Sequence, residues 1–136
     1  MTVESRSTVS AQPRRLFMVL SPRALEYGRY ALESLFRNAL EPFRLHLITD
    51  SAEDRDRLAE EVATYQHSGQ NLWNAYAKYD LRERETAIFA PYPNLRRFRD
   101  GHPCWRKITD PILLSEPGEE MVILDPDLYF PNRFCF

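Results

Sequence analysis

The feature that most constrains this chain is an eighteen-residue stretch of helical periodicity held between two short apolar runs. RLFMVLS (15–21) and FRLHLITD (43–50) are too short for stable helices, and each ends in polar or turn-forming residues, so both read as strands. Between them, RALEYGRYALESLFRNAL (23–40) repeats Leu25, Tyr27, Ala31, Leu32, Leu35, Phe36 and Ala39 at three- and four-residue steps, giving one apolar face. Ser21 is placed to cap that helix with Pro22 at its first position, and Pro42 stops it. Asp50 or Ser51 then caps AEDRDRLAEEVATY, whose mixed charges read as the solvated face of a second helix. Strand, helix, strand and helix in this order predict an α/β fold, a Rossmann-like, mostly parallel sheet flanked by helices.

The rest of the chain is less regular. LWNAYAKYDLRERE (72–85) reads as a short helix, TAIFA (86–90) as a short strand and PYPNLRRFRDGHP (91–103) as a loop. A helix is expected from about Cys104, interrupted by Pro111 and closed by Pro117-Gly118, and EEMVILDPDLYF (119–130) returns to strand. Residues 1–14 are polar and lack an apolar core, so they are expected to be a disordered leader and not a secretory signal, leaving 15–136 as one domain. A net charge of −2 argues against nucleic acid as a partner, and no apolar run approaches the roughly 20 residues of a transmembrane segment. With no secretory signal or membrane span, the expected location is cytoplasmic, and Cys104 and Cys135, which lack metal-ligand or redox-motif spacing, read as free thiols in a reducing compartment.

Chemistry is expected at the strand ends. Ligands of parallel α/β sheets bind beyond the carboxyl ends of the strands, where Ser21, Asp50 and Asp125 fall. Asp125-Pro126-Asp127 places two carboxylates close together on a stiff tripeptide, and a divalent cation, Mg²⁺ or Mn²⁺, relieves their repulsion. A simple strand-to-turn junction also accounts for Asp and Pro there. Lys107 alone reads as a solvated charge, Trp105 as a core residue, and Arg96, Arg97 and Arg99 as a surface basic cluster. His46, His67 and His102 show no ligand spacing.

The order Lys107-Ile108-Thr109-Asp110-Pro111-Ile112-Leu113-Leu114, then Val122-Ile123-Leu124-Asp125-Pro126-Asp127, resembles the amino-terminal half of a GT-A-fold glycosyltransferase with its D-x-D motif. The resemblance covers roughly residues 15–130. It implies a nucleotide-diphospho-sugar donor bound by Leu20, Ser21, Asp50, Lys107 and Asp125, with Leu20 and Ser21 beside the base, Asp50 on base or ribose, and Lys107 on the nucleotide side. It further implies that Asp125 and Asp127 hold Mn²⁺ or Mg²⁺, Asp127 more directly, and that an unknown acceptor takes the sugar, as in polysaccharide biosynthesis. The chain is expected to be a truncated half whose catalytic residues are unknown. Its expected partners are a missing carboxyl-terminal half or a second copy docked on an apolar edge near Val122 and Phe130.

Two other enzyme classes fit less well. A haloacid-dehalogenase-type phosphatase also uses D-x-D, but near the first strand and without a residue like Tyr129 after it. Sugar nucleotidyltransferases need a glycine-rich loop, which SPRALEYG is not. A non-catalytic GT-A-like module is the remaining alternative.

Overall fold

The computed structural model describes residues 12–65 and 71–136. Residues 1–11 of the expected leader and His67 lie outside them. Arg14, assigned above to the leader, is the first residue of β1 (Arg14–Val19) and pairs with Glu41 at 2.9 Å and Glu120 at 2.8 Å.

The fold is α/β. β1 lies parallel to β2 (Phe43–Thr49), β2 to β3 (Leu72–Ala77), and β1 on its other side to β4 (Val122–Leu124), giving the order β3-β2-β1-β4. The chain therefore moves outward from β1 through β2 to β3 and then returns across β1 to form β4. Its connections divide accordingly. α1 (Leu25–Asn38) and α2 (Ala52–Ala63) pack on one face, where Leu16, Met18, Leu45 and Leu47 meet Leu32, Leu35, Leu58 and Val62. On the other face lie α3 (Arg82–Ile88), α4 (Pro93–Asp100) and α5 (Arg106–Leu113), with α5 against β1 and β2 and a smaller core of Leu81, Phe89 and Leu113. Covering both faces explains why β2 buries His46 and Ile48 as well as its alternating leucines.

Several local expectations are corrected. Ser21 precedes a 3-10 turn, Pro22–Ala24, and its side chain makes no capping bond. Ser51 does cap α2, accepting from the Asp54 amide at 3.1 Å. Residues 72–77 form a strand, because pairing with β2 satisfies their backbone, and the expected strand at 86–90 begins as the last turn of α3. The expected loop at 91–103 contains α4, with Pro93 at its first turn where a missing N–H costs nothing. Pro111 lies inside α5 without ending it. The terminal residues turn back beneath α1: Phe130 and Phe134 stack at 4.3 Å, and Leu40 donates to the Phe134 carbonyl at 2.9 Å.

The largest correction concerns arginine. Arg99, expected on the surface, is 1% exposed and joins three helices. It donates to Asp110 on α5 at 2.7 Å, to Glu85 on α3 at 2.5 Å and to the Lys78 carbonyl at 2.7 Å. Burial alone pushes this guanidinium's pKa down, but the bonds and charges of Asp110 and Glu85 leave it raised. Trp105, expected in the core, is 42% exposed and packs on Phe98 at 4.4 Å.

Candidate functional site

The strand order reverses between the parallel neighbours β1 and β4, which leaves a crevice at their carboxyl ends, the usual ligand position in an open α/β sheet. A cleft of about 760 Å³ occupies it. Leu20, Ser21, Asp50, Lys107 and Asp125 all line this cleft, although they come from four separate parts of the chain. Leu20 is fully buried, and Gly28 on α1 lets the helix approach it: a Cβ there would come within 2.7 Å of a Leu20 methyl and 3.7 Å of Pro126.

β4 delivers Asp125 to the rim, and the chain turns at once, the Leu128 amide donating to the Asp125 carbonyl at 3.3 Å. Pro126 therefore sits at the second position of the turn, where its fixed φ suits the backbone. The strand-to-turn reading and the carboxylate-pair reading thus describe the same residues. Lys107, in the first turn of α5, donates to Asp125 Oδ1 at 2.6 Å. That bond, and then the charge of Asp125, raise the lysine pKa, with Asp127 adding a weaker effect. Asp127 is exposed and lies outside the cleft lining. It is the one expected site residue not brought into the cleft.

Arg106, not anticipated from sequence, completes the wall. It is 1% exposed and donates to the Thr49 carbonyl and to Asp50 Oδ1, fixing that carboxylate while the Asp50 side chain remains half exposed. Burial lowers its pKa, and the charge of Asp110 partly opposes this. Arg23 and Arg57 also reach the cleft, so four basic side chains face Asp50, Asp54 and Asp125. Four basic groups against three carboxylates suit an anionic ligand.

Among the described residues no group of three or more His, Cys, Asp or Glu side chains is placed to hold a metal ion. Asp125 and Asp127 supply two hard oxygen donors in the same turn, which fits Mg²⁺ or Mn²⁺ only where a ligand's phosphate oxygens and water complete the shell. Cys104 and Cys135 are free and exposed, and no helix among the described residues is long and apolar enough to cross a membrane. No protein-family model matches this chain, and neither the curated proteins nor the solved structures compared with it give a match.

Proposed function

We propose that the cleft is the donor-binding region of a metal-dependent glycosyltransferase, taking a nucleotide-diphospho-sugar for transfer to a sugar acceptor. The observation that carries this reading is the convergence of Leu20, Ser21, Asp50, Lys107 and Asp125 in one crevice where the strand order reverses. Leu20 and Ser21 border the base, and Asp50, held by Arg106, meets the base or ribose. Lys107 and Asp125 lie toward the diphosphate, and Asp127 follows in the same turn outside the cleft lining. Mn²⁺ or Mg²⁺, held by Asp125 and Asp127, would stabilise negative charge on the nucleoside diphosphate as it leaves. Lys107 adds positive charge beside the same group and exchanges its bond to Asp125 for one to phosphate.

Titration calorimetry of UDP and GDP into the chain, with Mn²⁺ and with EDTA, tests this. Metal-dependent binding is expected, and it should disappear in an Asp125→Ala/Asp127→Ala variant that still unfolds cooperatively. Absence of nucleotide binding by the folded parent removes the reading. β4 is one of the two edges of the described sheet, and Met121, Ile123, Leu128 and Tyr129 are exposed around it, which favours addition of a further polypeptide segment or a second copy there. Light scattering of the purified chain across a concentration series distinguishes a self-associating edge from a monomer.

A further inference from the structure

A second concavity, of about 780 Å³, shares no lining residue with the donor cleft. Arg15, Arg44, Arg55 and Arg84 line it, against only two carboxylates among the described residues, Asp80 and Glu119. Both carboxylates are already engaged. Asp80 accepts from Arg55 at 2.8 and 3.0 Å, and Glu119 lies 3.5 Å from Arg15. Arg84 donates to the Leu113 carbonyl at 3.0 Å and has no acidic partner among the described residues. Arg44 is exposed and has none there either. In a chain of net charge −2, this is a local cationic excess.

The same concavity contains an unsatisfied polar residue. His46 lines it but is only 5% exposed, and neither ring nitrogen has a hydrogen-bond partner among the described residues. Its ring is fixed between Phe17 at 4.7 Å and half-buried Tyr76 at 5.8 Å. Burial, then the charges of Arg15 and Arg44, lower its pKa to about 4, so at neutral pH it offers one N–H donor and one acceptor. Buried polar atoms without protein partners are costly, and a ligand oxygen beside them offsets that cost. Paired guanidinium groups match the oxygens of phosphate, and the volume suits a small molecule.

We propose that this concavity binds a small phosphate-bearing ligand, held by Arg44 and Arg84 over a floor that includes His46. The site is independent of the donor cleft and of the function assigned to it.

The test is a titration of the full chain with inorganic phosphate and with glycerol 3-phosphate, in EDTA at constant ionic strength, following the ¹⁵N signals of the His46 ring. Saturable shifts are expected, and Arg44→Gln should weaken binding by about tenfold, the usual scale for a lost charge-assisted contact. Because Arg44 is exposed, this variant should retain the parent's unfolding transition. Lys107→Gln, in the other cleft, should leave the affinity unchanged. A parent that shows no saturable His46 shift, or binding that Arg44→Gln leaves unchanged, overturns the proposal. Binding lost in Lys107→Gln but kept in Arg44→Gln assigns phosphate to the donor cleft and also overturns it.

Discussion

Asp110 and Asp125 each accept a bond from a basic side chain, yet their surroundings give those pairs opposite meanings. Asp110 is fully buried, is bonded by Arg99 at 2.7 Å and by Thr109 at 3.1 Å, and ties α5 to the helices beside it. Asp125 is about half exposed and bonded by a lysine that is itself 43% exposed. In the first pair, ligands have no access and the bonds organise the fold. In the second, solvent screens the attraction and either partner is free to exchange for a phosphate or a cation. Arg106 lies between these extremes, with a buried guanidinium that ends on a half-exposed carboxylate. Carboxylate chemistry alone therefore does not mark a site; burial and the number of satisfied bonds separate a structural charge from one available to a ligand.

The sharpest way to break that contrast is at Asp110. Asp110→Ala leaves Arg99 buried with Glu85 as its only carboxylate partner among the described residues, and removing one member of a buried ion pair typically costs about 3–5 kcal/mol. Urea unfolding is expected to show a loss on that scale. A change under 1 kcal/mol would mean that water reaches Arg99 and that the two carboxylates are less different than their burial implies.

His46 supplies the next largest effect, because it is buried like Asp110 but its ring nitrogens have no hydrogen-bond partner among the described residues. Its pKa is near 4 in the folded chain and near 6.5 when unfolded, so between those values the unfolded state binds more protons. Stability is therefore lost as pH falls through this window, by about 2–3 kcal/mol between pH 7 and 4.5 at roughly 1.4 kcal/mol per tenfold. Carboxylates titrate over the same range, so the measurement is a difference: His46→Phe should remove that part of the acid slope. Parallel pH profiles for the two proteins would show that His46 is hydrated in the native state.

Arg106 tests the intermediate case. Arg106→Met keeps a long apolar stem but leaves the buried Thr49 carbonyl without this donor and frees Asp50 to rotate. A loss of about 1–3 kcal/mol is expected from the unpaired group. Nucleotide affinity should fall in the same variant if Asp50 needs the arginine to hold it; unchanged affinity would make Arg106 purely structural.

The amino-terminal strands and first helix were legible because their hydrophobic periods are distinct: short apolar runs at 15–21 and 43–50, and a three- and four-residue repeat between them. Residues 72–77 were not, since Leu72, Trp73, Ala75 and Tyr76 suit more than one period and only pairing with β2 decides among them. α4 was hidden by Pro91, Pro93 and Gly101, which punctuate its ends without breaking its interior. Ser21, Asp50 and Asp125, read from the sequence as strand-end residues, line one cleft. Nothing local distinguishes Arg106 from Lys107, however. One helical step, about 100° of rotation, directs the first into the protein and leaves the second at the rim, so their separate roles depend on how α5 docks.

The smallest effect on stability is expected at Lys107. Its pair with Asp125 is exposed, and such pairs contribute about 0–1 kcal/mol, so Lys107→Ala should shift the urea midpoint very little. The raised lysine pKa means that whatever the pair contributes is present below the ordinary lysine value of about 10.4 and is lost only as pH rises through the higher one. No Lys107-dependent change in stability is thus expected between pH 6 and about 9. Ligand binding should respond in the opposite way. If Lys107 transfers its bond from Asp125 to a phosphate, Lys107→Ala weakens metal-dependent nucleotide binding by about tenfold, within the range for hydrogen bonds to charged groups. A variant with parental stability and weakened nucleotide affinity would distinguish the exposed pair from the buried one by its response to ligand. Parental stability with parental affinity would leave Lys107 a surface charge, and the donor-cleft reading would then rest on Asp50 and the β4 turn alone.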